Sequence, residues 1–252
     1  MRAIAHTVGR SLARCELTFV ARQPIDVAVA QRQHAAYCTL LRSLGVAVQV
    51  VSTCPDGADA VFVEDVAVVL DELAVAAAMG AATRRPEVAA MLPVLAQHRR
   101  VVRIEPPATL EGGDVLRIGR TLYVGRSART NAAGIAALAH LVAPFDYRVV
   151  PVAVRGCLHL KTACTALTDQ VLLANPAWVD LRPFAGMRVV EVAPGEPFGG
   201  NVLRLGDALC AAAAPAATNA RVRAFGIPLH EVDISELHKA EAGVTCLALV
   251  FA

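Results

Sequence analysis

The chain has 252 residues and a mass of 26.4 kDa, enough for one large domain with its own hydrophobic core and no need of disulfides or metals to fold. Hydrophobic residues make up 56% and charged residues 18%, against about 45–50% and about 25% in an ordinary globular chain, which excludes disorder. The 24 Lys and Arg against 22 Asp and Glu leave a formal charge of +2 without a long run of either sign, so no electrostatic footprint for nucleic acid or an anionic membrane exists and a small molecule is the expected partner.

Mean hydropathy is +0.50, yet the longest uninterrupted apolar stretch, Leu73 to Ala82, is about half of the ~20 residues that cross a bilayer. Arg2, Arg10 and Arg14 near the start, with no apolar signal region among them, make the cytoplasm the expected compartment. Seven cysteines without a C-x-x-C pair disfavour both a disulfide framework and a zinc cage, and are read as mostly buried, reduced thiols.

In chain order, Pro24-Ile25-Asp26 opens a helix over Asp26–Leu44, and Leu44-Gly45 closes it into a strand at Val46–Val51. An apolar run at Val61–Leu70 carries Glu64-Asp65, and a helix over Arg84–Gln97 and a strand at Val101–Ile104 follow. Glu111 precedes the run Asp114–Val124, which is split by the hairpin signal Ile118-Gly119-Arg120; a helix over Asn131–Val142 and a strand at Arg148–Val154 come next. His159 precedes the run Ala163–Leu173; a proline-broken segment around Pro176–Phe184 stands in for the helix of the fourth unit before the strand Met187–Val192. Asn201 precedes Val202–Ala211, a helix Thr218–Phe225 and a strand Ile227–Val232 follow, and Thr245-Cys246 opens the last run, Val244–Phe251.

The polar residues that introduce these runs, Glu64, Glu111, His159, Asn201 and Cys246, stand 47, 48, 42 and 45 residues apart. A period of that length marks a repeat architecture. Five ββαβ units closing around an axis would bring equivalent positions together, as propeller blades do at a central channel. The expected fold is therefore a single α/β domain over residues 1–252, a five-fold pseudosymmetric α/β propeller of ββαβ units around a central active-site channel.

Cys246, beside Gly243 and Thr245 at a strand entrance, is better placed for a nucleophile than Cys38 in a helical pattern or Cys210 in an apolar run. His159 has the side chain suited to carry a proton near neutrality. Glu111 precedes Gly112-Gly113, where the backbone turns sharply and leaves an acid at a loop mouth. Asp59, Glu64 and Asp65 put three carboxylates around one β-branched run, and the adjacent pair, expected within a strand, needs a cation to be buried. Neither the loop spacing of hard-metal ligands nor a His/Cys cluster is present, so no metal is expected. A guanidinium, with its planar fork of donors, suits the carboxylates better.

Phe62-Val63-Glu64-Asp65, Leu110-Glu111-Gly112-Gly113-Asp114, Ser127-Ala128-Arg129-Thr130-Asn131, Cys157-Leu158-His159-Leu160-Lys161-Thr162 and Val244-Thr245-Cys246, in that order, resemble the dimethylarginine dimethylaminohydrolases. These are small members of the guanidino-group-modifying, or pentein, superfamily, whose fold is a five-unit α/β propeller. The resemblance runs over the whole chain without a large insertion. It implies hydrolysis of an Nω-methylated arginine to citrulline, with Cys246 as nucleophile, His159 as general acid and base, and Glu111 as the carboxylate beside it. It further implies Asp65 on the guanidinium, Glu64 in support, Phe62 as a pocket wall, Asp59 on the substrate α-amine, Arg84 and Arg129 on its carboxylate, and Thr245 next to the nucleophile. No cofactor is implied, and a homodimer is left open.

Two stretches depart from the family pattern: Ala76–Ala81 lacks an arginine and a proline at Ala78 and Met79, and Ala216–Asn219 lacks the usual Pro-Arg-Thr-Arg character. These changes are not expected to touch the nucleophile, base or acid. The residues leave open a hydrolase or transferase for another guanidino compound such as arginine, a non-catalytic arginine-binding module, and a redox or metal sensor.

Overall fold

The structure, a computed structural model covering residues 1–252, arranges fifteen strands in five three-stranded sheets. Strands β1 (Arg2–His6) and β2 (Ala47–Val51) are joined by helix α1 (Val27–Ser43). Next come β3 (Ala67–Val69), β4 (Leu73–Ala76), α2 (Arg85–Ala96) and β5 (Arg100–Arg103), then β6 (Val115–Ile118), β7 (Thr121–Arg126), α3 (Ala132–Val142) and β8 (Arg148–Ala153). A one-turn helix α4 (Leu160–Ala163) leads into β9 (Cys164–Ala166), β10 (Val171–Ala174) and β11 (Arg188–Glu191). The chain finishes with β12 (Val202–Leu205), β13 (Ala208–Ala212), α5 (Ala216–Arg223), β14 (Leu229–Val232), the one-turn α6 (Ser235–His238) and β15 (Leu249–Phe251).

One rule generates all five sheets. Each central strand, β4, β7, β10, β13 or β1, pairs antiparallel with an inner strand and parallel with an outer one. The antiparallel step needs only a tight turn where the two strands are consecutive, whereas the parallel step needs a crossover, supplied by α1, α2, α3 and α5 in four sheets and by the segment 175–187 between β10 and β11. The fifth sheet is completed by the other end of the chain: β15 lies against β1, with Ala3 opposite Val250. The N-terminal strand, unassigned by the sequence pattern, thus closes the ring.

The predicted helices are found within two residues of their expected ends. Asp26 caps α1 by accepting from Val29 N–H at 3.0 Å, and Asn131 caps α3 through Gly134 N–H at 2.8 Å. Gly45, where the sequence closes the first helix, has left-handed φ, and so do Asp146, Gly186 and Gly226 ahead of the corresponding strands of three further units, all between 60° and 96°. Pro176–Phe184 forms no α-helix, only a 3-10 turn at Arg182–Phe184.

Glu64 and Asp65, expected in a strand, lie instead in a 3-10 turn, Val63–Val66, before β3, and Cys246 lies in a similar turn, Thr245–Leu247, before β15. A strand would send adjacent carboxylates to opposite faces. The turn lets both be held by donors in the interior.

A short turn of this kind precedes the inner strand of every unit. The 63–66 turn packs against both the 112–114 turn and the 245–247 turn, and α4 packs against the 112–114 turn and the 197–200 turn. They form a ring around the axis, and a core cluster of 23 buried residues under α1 includes Phe62 and Cys246 from that ring. No helix is long and apolar enough to cross a membrane.

Candidate active site

His159 stands immediately before α4, in extended backbone, and is 2% exposed. Its Nε2 lies 2.8 Å from Glu111 Oε2, and its Nδ1 lies 3.7 Å from Asp65 Oδ1. With both ring nitrogens facing carboxylates, the protonated ring is the one the site favours. Burial works against that charge, but Asp65, Glu111 and Asp114 outweigh it and push His159 up to about 9. The same attraction pulls Asp65 and Glu111 below the usual carboxylate range, despite burial that opposes it.

Glu111 is 0% exposed and its other oxygen is also claimed: Gly80 N–H donates at 3.0 Å and Arg129 Nη1 at 3.4 Å. Gly80 follows the two divergent positions, Ala78 and Met79, and it is this glycine, not either changed residue, that meets the Glu111 carboxylate. The contact is through the backbone, which is why the loss of an arginine and a proline nearby leaves it intact.

Asp65 is held from three sides. Arg84 Nη1 donates at 2.6 Å to Oδ2, Gly113 N–H donates at 3.1 Å to Oδ1, and His159 approaches the same Oδ1. Only glycine fits at position 113, since a Cβ there would lie 2.6 Å from both Asp65 Oδ1 and His159 Nδ1. This is the physical content of the paired glycines after Glu111.

Glu64 accepts from Lys161 Nζ at 2.6 Å and from the Thr245 hydroxyl at 2.8 Å. Burial raises its pKa, and the Lys161 ammonium opposes the rise. Thr245 thus fastens the Cys246 turn to the carboxylate pair. Cys246, 9% exposed, receives Gly243 N–H at 3.4 Å on its sulfur, and no hydrogen bond joins it to His159. Burial, together with the Glu64 and Asp65 charges, pushes its thiol up to about 12.

The remaining expected residues flank this centre. Phe62 packs in the same core cluster as Cys246. Asp59 accepts Glu16 N–H on both oxygens at 3.2 and 3.1 Å. Arg84, buried, is fixed by Asp65, by Glu87 at 2.9 Å, and by the carbonyls of Asp59 and Phe62. Arg129 reaches both Glu111 and the Thr18 hydroxyl, each at 3.4 Å.

Several residues were missed by sequence reasoning. Asp114 accepts Leu160 N–H at 2.9 Å and the Ser127 hydroxyl at 2.6 Å, holding the first turn of α4 behind His159. Its place in Glu-Gly-Gly-Asp was visible, but its partner is 46 residues away. Glu241 accepts the N–H groups of Thr18, Phe19 and Val20 at 2.7, 2.6 and 3.0 Å, so the segment Glu16–Val20 is a strap running from Asp59 to Glu241. Its only sequence signal is an acid five residues before Cys246.

Donor atoms of Asp65, Glu111 and His159 lie within 4.8 Å of one another, a set that could in principle ligate a divalent ion. A metal-bound imidazole must give up a lone pair. Here Nε2 is engaged with Glu111, Nδ1 faces Asp65 at 3.7 Å, and both carboxylates also hold arginines, so the trio suits an organic cation better.

A family model described as N,N dimethylarginine dimethylhydrolase, eukaryotic, matches residues 21–176. The chain is 38% identical to the N(G),N(G)-dimethylarginine dimethylaminohydrolase of Streptomyces coelicolor over 98% of this chain and 96% of that one. Among solved structures, the Pseudomonas aeruginosa enzyme, a cysteine-to-serine variant complexed with citrulline, superposes with a TM-score of 0.94 at 30% identity, covering 99% and 98% of the two chains. A histidine-to-glycine dimethylarginine dimethylaminohydrolase carrying an S-methyl-L-thiocitrulline adduct gives a TM-score of 0.95 at 30% identity over 99% of both chains.

Proposed function

Because the chain belongs to the dimethylarginine dimethylaminohydrolase family, hydrolases of C–N bonds in linear amidines, we propose that it converts an Nω-methylated arginine to citrulline and dimethylamine or methylamine through a covalent adduct on Cys246. The observation that carries this reading is the convergence of Asp65, Glu111 and His159 on one another beside the Cys246 turn. Citrulline and a thiocitrulline bound to the relatives add support.

The chemistry follows from the charges. With the Cys246 thiol raised to about 12 and the His159 imidazolium at about 9, the nucleophile rests protonated. A guanidinium bound against the Asp65 and Glu111 carboxylates brings positive charge to the sulfur and stabilises the thiolate, whose proton passes to solvent because the imidazolium already holds its own, so the substrate helps to activate its attacker. The sulfur adds to the guanidino carbon. Collapse of the tetrahedral adduct expels the methylated amine, which leaves as a neutral molecule after taking a proton from His159. His159, now neutral, removes a proton from water as it attacks the thiouronium-like carbon; breaking the C–S bond releases citrulline and the thiol.

In this reading Glu111 orients and charges His159, Asp65 holds the guanidinium, and Glu64 and Thr245 brace the turn that carries the sulfur. Phe62 walls the pocket. Asp59 holds the substrate's α-amine and Arg129 its carboxylate, while Arg84, its donors engaged by Asp65, Glu87 and the Asp59 and Phe62 carbonyls, holds Asp65 in place.

Purified protein given dimethylarginine, monomethylarginine and arginine in parallel, with citrulline and the released amine measured, tests the substrate class. Dimethylamine with citrulline is expected, and ammonia release from arginine at the higher kcat/KM would reassign the substrate. Cys246→Ser should abolish turnover, and His159→Ala should cost about 10²–10⁴-fold. A serine variant that keeps its rate removes the covalent step.

A further inference from the structure

Asn201 introduces the fourth inner strand as Glu64, Glu111, His159 and Cys246 introduce the others, yet it has no part in the chemistry above. It is 8% exposed. Its Nδ2 donates to the Lys161 carbonyl at 2.8 Å and to the Thr245 hydroxyl at 3.0 Å, while its Oδ1 accepts Thr245 N–H at 3.1 Å. Both amide protons and the amide oxygen are therefore used, and the amide orientation is dictated by its partners: a nitrogen must face the carbonyl and an oxygen the N–H.

The two segments it joins are the reacting ones. Lys161 lies two residues after His159, on α4, and Thr245 lies one residue before Cys246. The amide also lies against Gly243, where any side chain would collide with it. Gly243 in turn contributes both backbone contacts of the nucleophile's turn, its N–H to the Cys246 sulfur at 3.4 Å and its carbonyl to Cys246 N–H at 3.2 Å.

Around the axis, successive turns touch broadly from the 245–247 turn through 63–66, 112–114 and α4 to 197–200, but the last junction, from 197–200 back to 245–247, is thinner. The Asn201 side chain bridges it. No hydrogen bond joins sulfur and imidazole directly, so their separation has to be set by the frames that carry them.

We propose that Asn201 is a positioning residue for the hydrolysis: its amide sets the distance between the His159 and Cys246 segments, so that one guanidino carbon can face both. This rests on the reading of Cys246 and His159 as the reacting pair. Reactions held in a near-attack geometry lose about 10²-fold for a displacement of about 1 Å. An asparagine is required because the bridge needs two donors and one acceptor. An aspartate has the shape without the donors, and would add a charge near Glu64.

The test compares wild type with Asn201→Asp, Asn201→Ala and, as a control for loss of a buried amide, Asn219→Ala. Asn219 is fully buried and bonded to the Ala212 carbonyl and Glu231, away from the ring of turns. Two measurements are made: kcat and KM for the methylated arginine, and inactivation rates with chloroacetamidine and with neutral chloroacetamide, which share a leaving group and differ in charge. Wild type should react far faster with the amidinium, because Asp65 and Glu111 hold it beside the sulfur.

Both Asn201 variants should lose about 10–100-fold in kcat with KM within threefold, and the amidinium-to-neutral rate ratio should fall at least tenfold. Asn219→Ala should lower thermal stability while leaving kcat and the ratio unchanged. A wild-type kcat and ratio in folded Asn201→Ala would overturn the proposal. So would failure of both Asn201 variants to fold, which would make the amide a folding determinant only, or the same kinetic losses in Asn219→Ala. Cys246→Ser, run alongside, reports separately on the nucleophile: residual turnover there defeats the underlying mechanism rather than the role of Asn201.

Discussion

Replacing Glu111 by Gln leaves the shape of the site intact and removes one buried negative charge, which makes its effect on His159 calculable. In the wild type the resting enzyme carries a neutral thiol and a protonated imidazole, with values of about 12 and about 9. The reactive arrangement has one proton fewer. Hence kcat/KM should rise about tenfold per pH unit and level off near 9, where His159 loses its proton, the break being a property of the coupled pair. Glu111 lies 2.8 Å from the ring with neither partner exposed to screening solvent. An opposite charge that close raises an imidazole by about 1–3 pKa units, or about 1.4–4 kcal/mol. In Glu111→Gln the break should therefore move down to about 6–8. The amide that would face Nε2, if its oxygen keeps Gly80 N–H, is itself a donor and favours the neutral ring further. The assay is citrulline formation against pH, backed by NMR titration of the His159 ring where turnover is too slow. A break that stays at 9 in the variant refutes this electrostatic account, whatever happens to the absolute rate. Stability supplies a cross-check of sign: a group whose folded pKa is raised stabilises fully below its unfolded value of about 6.5, and that contribution disappears as pH rises through about 9. The wild type should lose more of its thermal stability over that interval than Glu111→Gln.

Three other perturbations follow from the geometry. Gly113→Ala places a methyl group 2.6 Å from both Asp65 and His159; activity should fall at least 100-fold, and alanine at wild-type rate would show that the two side chains are not held as described. Lys161→Met leaves Glu64 buried without its ammonium partner, which should cost about 3–5 kcal/mol in denaturant unfolding, and Glu64→Gln in the same chain should recover part of it. Glu241→Ala strips the strap of three hydrogen bonds, so amide hydrogen exchange in residues 18–20 should accelerate at least tenfold, with KM rising more than kcat falls; unchanged exchange there would mean the strap is held from the Asp59 side alone.

The elements were legible in the sequence because their causes are local. Val- and Ile-rich runs favour strands wherever they sit, Asp26 and Asn131 cap helices through amides three residues away, and left-handed turns at Gly45, Asp146, Gly186 and Gly226 lead into the strands that follow. The spacing of Glu64, Glu111, His159, Asn201 and Cys246 was legible for the same reason, since each unit repeats the same short-range steps, and the family resemblance attached chemical roles to four of the five. Placement of Glu64 and Asp65 in a strand failed because a short apolar run reads alike whether its first residues pair with a neighbour or coil into a turn.

What only the tertiary structure decided are the pairings between residues remote in the chain. Strand β1 closing the fifth sheet against β15, Asp114 holding the turn behind His159, Glu241 gripping the strap, and Asn201 spanning from Lys161 to Thr245 leave no local trace. An isolated acid or amide in a sequence has the same composition whether it faces water or a partner two hundred residues away. Its meaning is set when closure of the ring removes the water and leaves each buried donor and charge with a single available partner.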